Sequence, residues 1–430
     1  MLDNFYKNFK SGTDIRGVAS EGVEGQNVNL TDDVVKKMAF GFVLWLEKVA
    51  NKKASEMTIS VGRDSRISGE RIANDVIDSF KKAGVKVIYT NLSSTPSMFM
   101  TTVDLGCDGA VQITASHHPF NRNGLKFFTP NGGLEASDIE EILQYAQDDK
   151  KPEITDNGTV EEMDYMSRYS NHLCDIIKKG VNAEDYDHPL KGFKIVVDAG
   201  NGVGGFYADK VLKVLGADTE GSVYLDPDGM FPNHIPNPED KTAMDSISKA
   251  VLDSKADLGV IFDTDVDRGG AVDSFGKEIN RNRLVALASA IALEGTDGGT
   301  IVTDSVTSSG LKDFIENHLG GKHYRYRRGY KNVIDKGIEL NNNGEFCPLA
   351  IETSGHAAMK ENYFLDDGAY LCTKIIIKMA QLAKENKTID MMLKDLKEPA
   401  ESKEIRFKIT EEDFRACGEK IIADLEKYAK

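Results

Sequence analysis

Apolar and polar positions along this chain follow a pattern that recurs three times. A short apolar run ends in a polar turn, and a segment with helical spacing of apolar residues follows and closes near a glycine. The predicted strands are residues 57–61, 193–197 and 300–303, and the predicted helices are residues 72–82, 207–215 and 311–318. A further β-like run follows each helix, so the chain is predicted to form an α/β fold with mixed, mostly parallel sheets between helices.

These units predict three α/β domains, because 430 residues exceed what one core usually supports. The polar residues 148–157 and the segment after Lys277 are the expected joins. The expected domains are therefore residues 1–160, 161–285 and 286–398, and residues 399–430 lie beyond them.

The first candidate for chemistry is the loop of residues 114–126, which follows a predicted buried strand at 110–113. Open α/β sheets bind ligands at the carboxyl ends of their strands. Ser116 lies there beside His117, and Lys126 follows ten residues later. A serine hydroxyl becomes a nucleophile when a base takes its proton or a cation stabilises its anion. The simpler interpretation is a polar turn whose serine caps a helix.

The second candidate is an acidic segment that follows the apolar strand predicted at 258–262. Asp263, Asp265 and Asp267 would project to the same side of an extended chain, and hard oxygen ligands suit Mg²⁺. An EF-hand also begins with this spacing, but Arg268 and Ser274 stand where it needs Gly and Glu. A metal flanked by arginine is typical of phosphoryl-transfer sites. The alternative is a solvated acidic turn.

With a third loop at residues 352–356, these segments resemble the alpha-D-phosphohexomutases, most closely the phosphomannomutase/phosphoglucomutase branch. In that family the three loops carry the phosphoserine, the magnesium ion and the sugar. His118 and Ile351 stand where the family usually has Asn and Gly. The resemblance runs from about residue 8 to about residue 400 in the family's order, and it implies three related α/β domains and a fourth of different topology.

The resemblance implies reversible phosphoryl transfer between the 6- and 1-positions of mannose and/or glucose phosphates. It implies a phosphoserine at Ser116 and a hexose 1,6-bisphosphate that serves as intermediate and activator. Mg²⁺ would be held by a phosphoserine oxygen of Ser116 and by Asp263, Asp265 and Asp267. The other expected catalytic residues are Arg16, Arg268, and, for proton transfer, Lys126 with a lowered pKa or else His117. The expected substrate-binding residues are Lys331, Glu352, Ser354 and His356.

The net charge of −16 argues against nucleic acid or an anionic membrane as a partner and favours small sugar phosphates bound at a locally basic site. Five cysteines without a C-x-x-C pair indicate reduced thiols, and the first residues lack a signal peptide's apolar core. We therefore expect a cytoplasmic protein, either a monomer or a homodimer.

Two other functions are open at this point. Residues 200–205 match G-x-G-x-x-G after a strand, with Asp218 and Glu220 roughly where a ribose-binding acid would lie, so an NAD(P)-dependent oxidoreductase is one alternative. Glycine-rich turns are common between strand and helix, so we favour a structural role for these glycines. The second alternative is a non-catalytic sugar-phosphate binding protein.

The segment from Pro399 to Lys430 differs most from the family. A strand at 403–409 and a helix at 411–428 would begin the last domain. In the family that domain carries a cationic loop that binds the non-reacting phosphate, and nothing after Pro399 matches it. The resemblance therefore implies that residues 399–430 are the start of a smaller α+β C-terminal domain, a partial phosphate-binding domain.

Overall fold

The computed structural model describes residues 1–401, 409–411 and 413–429. The chain divides into two compact units, Met1–Lys397 and Glu398–Lys430. In the part of the chain that the structure describes, no helix is long and apolar enough to cross a membrane.

The described strands of the first unit form three sheets, of which the first has eight strands. These are β1 (Lys10–Ser11), β2 (Asp14–Val18), β3 (Thr58–Arg63), β4 (Lys86–Leu92), β5 (Gly109–Ile113), β6 (Arg122–Thr129), β7 (Gly132–Gly133) and β8 (Thr159–Glu162). Their order is β1-β2-β6-β5-β3-β4-β8, and β7 pairs with β6. The pairs among β5, β3, β4 and β8 are parallel, whereas β1, β2, β6, β5 and β7 pair antiparallel.

The other two sheets have four strands each. One contains β9 (Ile195–Asp198), β10 (Leu258–Phe262), β11 (Gly269–Asp273) and β12 (Glu278–Ile279) in the order β12-β11-β10-β9. The other contains β13 (Thr300–Thr303), β14 (Lys322–Arg325), β15 (Leu349–Ile351) and β16 (Ala357–Met359) in the order β14-β13-β15-β16. Each combines parallel and antiparallel pairs, so the predicted mixed sheets are confirmed.

Helices pack against these sheets. In the first unit they are α1 (Asn4–Lys7), α2 (Asp32–Ala50), α3 (Gly69–Lys82), α4 (Thr95–Asp104), α5 (Ala136–Gln147), α6 (Tyr165–Val181), α7 (Lys241–Ser254), α8 (Arg281–Leu293), α9 (Ser309–Asp313), α10 (Tyr330–Asn342) and α11 (Gly368–Ala383). The second unit contains α12 (Phe414–Ala429). Short 3₁₀ turns lie at Ala54–Glu56, Lys360–Asn362 and Ile389–Leu393.

The predicted strands at 258–262 and 300–303 are confirmed to the residue. The strand predicted at 57–61 extends two residues further, because both neighbouring strands supply hydrogen-bonding partners for Gly62 and Arg63. The helices predicted at 207–215 and 311–318 are wound partly as π-helix, at Tyr207–Leu212 and Phe314–His318. The helix predicted at 411–428 is present as α12, and most of the strand predicted at 403–409 lies outside the described residues.

One continuous buried cluster joins the three sheets. It includes Phe128 from the first sheet, Phe262 from the second and Ile351 from the third. Residues of β5 and β10 are buried throughout, as expected for strands covered on both faces. This shared core holds the loops that follow β5, β10 and β15 in fixed positions relative to one another.

Candidate active site

Ser116 lies in the loop after β5, and its hydroxyl meets the acidic loop from the second sheet. Its Oγ donates to Asp263 Oδ2 at 3.3 Å and accepts from Arg268 Nη2 at 3.1 Å. The backbone N–H of Ser116 donates to Thr114 Oγ1 at 2.9 Å, and the residue has a φ of 51°. The first two predicted motifs therefore form one site, although they are about 150 residues apart in sequence.

The acidic loop brings one carboxylate oxygen each from Asp263, Asp265 and Asp267 within 4.8 Å of one another. The sequence predicted that these carboxylates converge because the chain is extended. That prediction is wrong, because the residues form a turn in which Val266 takes a φ of 67°. Thr95 at the start of α4 donates its hydroxyl to Asp265 Oδ2. The Oδ1 atoms of Asp265 and Asp267 are buried and have no hydrogen-bond partner among the described residues.

Burial and mutual repulsion set the charges of this loop. Burial, followed by the repulsion of Asp267, raises the pKa of Asp263 and the pKa of Asp265. Burial is also the largest single effect on Asp267 and disfavours its charge, but the neighbouring cations, Lys126 first and then His356 and Arg268, together outweigh burial and hold the pKa of Asp267 well below its usual range. Convergent oxygen ligands and two unpartnered buried oxygens fit a hard divalent cation such as Mg²⁺.

Arg268 is 2% exposed and connects the serine to the acidic loop. Its Nε donates to Asp263 Oδ2 at 3.0 Å, and its Nη1 donates to Asn237 Oδ1 at 3.1 Å. Its Nη2 lies 2.7 Å from His117 Nδ1. Burial and then Arg268 lower the pKa of His117 far below its usual value, so this imidazole is neutral and accepts the arginine's hydrogen bond.

Lys126 projects from β6 towards the same loop. Its Nζ donates to Asp267 Oδ2 at 2.9 Å and lies 4.6 Å from the centre of the Tyr330 ring. We expected a lowered pKa, and this expectation is wrong for the described arrangement. Burial acts in that direction and is the largest single effect, but the surrounding acidic groups, with Asp267 first among them, together outweigh it and raise the pKa of Lys126 well above its usual value.

The third predicted loop joins β15 to β16. Glu352 Oε1 accepts from the backbone N–H of Gly329 at 2.6 Å, and Ser354 Oγ donates to Glu352 Oε2 at 3.4 Å. All three side chains of residues 352–354 are buried. Glu352 and Ser354 therefore lie side by side at the carboxyl end of β15.

His356 places this third loop beside the acidic loop. Its Nδ1 lies 2.5 Å from Asp366 Oδ2 and 3.8 Å from Asp267 Oδ1, and its ring stacks on Tyr330 with centroids 5.1 Å apart. Burial opposes its charge, but Asp366 and Asp267 outweigh burial and raise the pKa of His356 to about 9. A protonated imidazole therefore contributes positive charge to the site.

The two remaining predicted residues are held by nearby carboxylates. Arg16 forms an ion pair with Asp14 at 3.0 Å on β2, the strand that pairs with β6. Lys331 forms ion pairs with Glu135 at 2.5 Å and with Asp335 at 2.6 Å. Lys331 shares the wall of a cavity of about 70 Å³ with Lys126 and Asp366, next to the acidic loop.

Four further residues contact the predicted ones: Thr95, Asn237, Tyr330 and Asp366. Two of these residues lie in sequence patterns that could have indicated them. Tyr330 lies in the aromatic and basic segment that contains Lys331, and Asn237 follows a proline in the segment 236–239, which also resembles the family. Thr95 and Asp366 have no distinguishing local pattern, because their role depends on contacts across the fold.

The glycines of residues 200–205 serve backbone packing. A Cβ on Gly202 would lie 2.6 Å from the carbonyl oxygen of Thr264, and one on Gly205 would lie 2.1 Å from that of Leu225. Asp218, a candidate for ribose binding, instead forms an ion pair with Lys194 at 3.2 Å. These contacts favour the structural role over a dinucleotide site, since the glycines bring β9 close to the acidic loop.

A buried serine hydroxyl, an arginine and converging carboxylates at the carboxyl ends of α/β sheets are the parts of a phosphoryl-transfer enzyme. Comparison with known proteins gives the same result. Models of the phosphoglucomutase/phosphomannomutase alpha/beta/alpha domains I, II and III match residues 8–153, 167–276 and 280–399. The chain belongs to this family, the alpha-D-phosphohexomutases, and is an isomerase, as its sequence predicted.

The chain is similar to a phosphoglucomutase/phosphomannomutase of Thermococcus kodakarensis, with 31% identity over 86% of this chain and 77% of the relative. It is 29% identical to a phosphoglucomutase of Neisseria meningitidis, over 87% of this chain and 75% of the relative. A solved structure of a family protein from Burkholderia thailandensis is 27% identical, with a TM-score of 0.74, and the match covers 93% of this chain and 81% of that one.

Proposed function

We propose that this chain interconverts the 6- and 1-phosphates of hexoses, with mannose and glucose phosphates as substrates. The observation that carries the proposal is the position of Ser116 Oγ, 3.1 Å from Arg268 Nη2 and 3.3 Å from Asp263 Oδ2. A phosphoryl group on this oxygen would lie between a fixed cation and the acidic loop. The names of the relatives support both sugars, since one is a phosphoglucomutase and another a phosphoglucomutase/phosphomannomutase.

In the proposed reaction, the bond between phosphorus and Ser116 Oγ breaks as the free hydroxyl of the bound hexose monophosphate bonds to the phosphorus. The sugar hydroxyl loses its proton and Ser116 Oγ gains one, so the products are a hexose 1,6-bisphosphate and the free serine. This compound reorients and returns its other phosphoryl group to Ser116, which leaves the isomeric monophosphate. Added hexose 1,6-bisphosphate would activate the enzyme by phosphorylating Ser116.

Asp263, Asp265 and Asp267 would hold Mg²⁺ together with a phosphoserine oxygen. When bound, the ion would neutralise charge on the transferring group. The two unpartnered buried oxygens of Asp265 and Asp267 support this ligand set. Arg268, which already contacts Ser116 Oγ, would stabilise charge on the same group.

Lys126 is proposed to transfer the sugar hydroxyl's proton, with His117 as the second candidate. Lysine can accept a proton only after losing its own, so its contact with Asp267 must weaken during turnover. We expect Lys126→Arg, which keeps a cation beside Asp267 but cannot be deprotonated, to lower kcat by at least about 100-fold with little change in KM. Steady-state kinetics test this, and a kcat within threefold of the wild type would move the role to His117.

Glu352 and Ser354 are proposed to bind two vicinal sugar hydroxyls. Glu352→Gln keeps an acceptor for the Gly329 N–H but loses a charged hydrogen bond to the sugar, worth about 1.5–3 kcal/mol. We expect kcat/KM to fall by roughly 10- to 100-fold for both hexose phosphates. Glu345→Gln is the matched control, because Glu345 pairs with Lys322 on the surface. Unchanged kinetics in Glu352→Gln would show that this loop does not bind the sugar.

Arg16, Lys331 and His356 are proposed to supply positive charge for the substrate's phosphates. His356 is the best supported, because it lies between Asp366 and Asp267 in the acidic site. The cytoplasmic location and the monomeric or homodimeric state are further proposals from the sequence. Sedimentation at several protein concentrations tests the second.

A further inference from the structure

The backbone of Ser116 has an unusual conformation. Its φ of 51° lies in the left-handed region, which non-glycine residues adopt infrequently because the Cβ crowds the backbone. Such a conformation persists at a functional site only where its surroundings hold it. The contacts on both sides of Ser116 lead to residues of the turn after β3.

Arg66 binds the loop of Ser116 through four carbonyl oxygens. Its guanidinium donates to the carbonyls of His118 at 2.6 Å, of Pro119 at 2.7 Å and of Arg122 at 2.9 Å. It also donates to the carbonyl of Ser116 itself. The arginine is 1% exposed, so water does not compete for these bonds. A planar guanidinium with five fixed donors can satisfy such a set of acceptors.

Asp64 holds the other end of the same residue. Its Oδ2 accepts from Thr114 Oγ1 at 2.7 Å, and Thr114 Oγ1 in turn accepts from the backbone N–H of Ser116 at 2.9 Å. Asp64 also accepts from the backbone N–H of Arg66 at 2.9 Å, and its Oδ2 lies 3.3 Å from Arg66 Nε. The peptide groups on both sides of the Ser116 Cα are thus tied to residues 64–66.

Residues from the second sheet's domain cover Arg66. The ring of Phe231 has its centre 5.2 Å from the Arg66 Cζ. Gly229 lies so close that a Cβ there would be 2.4 Å from the backbone nitrogen of Ile67. These contacts keep the guanidinium in place against the serine loop.

We propose that Arg66, with Asp64, is a positioning residue that holds Ser116 in the left-handed conformation in which its Oγ faces Asp263 and Arg268. This inference rests on the proposed role of Ser116 as the phosphorylated residue. Loss of a purely structural arginine would lower only the stability of the protein. Loss of the Arg66 guanidinium also lowers the rate of phosphoryl transfer at temperatures where the protein is fully folded.

The test compares Arg66→Lys with Arg63→Lys. Arg63 is the last residue of β3, directly before this turn, but its guanidinium bonds Tyr89, Asn91 and the carbonyl of Asp64 instead of the serine loop. We expect Arg66→Lys to lower kcat and the rate of Ser116 phosphorylation by glucose 1,6-bisphosphate about 100-fold, the effect of a misplaced reacting group. KM and Mg²⁺ affinity should stay within about threefold, since the sugar and acidic loops keep their contacts. Arg63→Lys should match the wild type in all four quantities.

Amide hydrogen exchange gives a readout that does not depend on activity. In Arg66→Lys, peptides covering residues 114–122 should exchange faster, and peptides covering residues 263–268 should not. Unchanged exchange at 114–122, or an unchanged kcat in a variant that melts at a lower temperature, overturns the proposal. If the wild type has no mutase activity, the proposed function fails while the exchange result still decides whether Arg66 holds the loop.

A second variant covers the case in which Arg66→Lys does not fold. Asp64→Asn changes almost no volume and removes the charge that faces Arg66. It should produce the same loss of kcat and the same faster exchange at 114–122. A folded Asp64→Asn with wild-type kcat and exchange overturns the proposal.

Discussion

Ser116→Ala is expected to lower kcat by at least about 10⁴-fold, because the phosphoryl group has no oxygen on which to reside between the two half-reactions. The variant should fold normally, since the bonds that hold this loop use the backbone N–H and carbonyl of residue 116. The measurement is mutase turnover with excess hexose 1,6-bisphosphate, together with a thermal melt.

Ser20→Ala is the control for that experiment. The backbone N–H of Ser20 donates to the Asn121 carbonyl of the same loop, so the change removes a hydroxyl nearby without touching the proposed phosphorylation site. It should leave kcat within about twofold of the wild type, as surface substitutions usually do. Appreciable turnover by Ser116→Ala in the presence of bisphosphate would contradict a phosphoserine mechanism.

Asp265→Asn is expected to weaken Mg²⁺ binding by at least 10- to 100-fold, about the loss that even an outer-shell partner of a metal site causes. The same change should leave the metal-free protein as stable as the wild type or more so. The pKa of Asp265 is raised by burial and by the charges of Asp267 and Asp263, so its ionised form is unfavourable in the folded protein without a cation.

Calorimetric titration with Mg²⁺ and thermal melts in EDTA measure the two effects separately. Asp253→Asn is the matched control, because Asp253 pairs with Lys249 on the surface. Lower Mg²⁺ affinity combined with equal or greater stability in EDTA is the result expected of a metal ligand. Mutase activity that is unaffected by EDTA in the wild type would show that the acidic loop does not hold a required metal.

Much of the fold could be predicted because its local signals are strong. The strand Leu258–Phe262 is a run of apolar residues bounded by polar ones, and it forms as expected. The sequence also predicted that the acidic side chains converge, but it predicted an extended backbone where the structure has a turn. Val266 has a β-branched side chain that favours extended structure, yet it takes a φ of 67° in the turn. It is fully buried, so packing of the turn against the core outweighs its local preference.

The contacts that assemble the site could not be predicted from local pattern. Lys126 meets Asp267 across 141 residues of sequence, and Arg268 meets Ser116 across 152. Only the family resemblance placed these residues in one cleft. The raised pKa of Lys126 follows from such a contact, and so does the part played by Arg66, which the sequence presents as one of two arginines in a polar turn. The motifs were enough to propose the chemistry. The charge states of the side chains depend on neighbours that come into contact only in the folded protein.

Phosphoryl transfer through Ser116 can be followed directly by intact mass. The wild type is incubated with glucose 1,6-bisphosphate and Mg²⁺, separated from them, and then mixed with mannose 6-phosphate or glucose 6-phosphate. We expect a gain of one phosphoryl group, located at Ser116 by peptide fragmentation, and its loss to the added sugar phosphate with formation of a bisphosphate. Binding of the sugar phosphates without any phosphoryl group on Ser116 would exclude a phosphoserine mechanism and favour a non-catalytic binding protein.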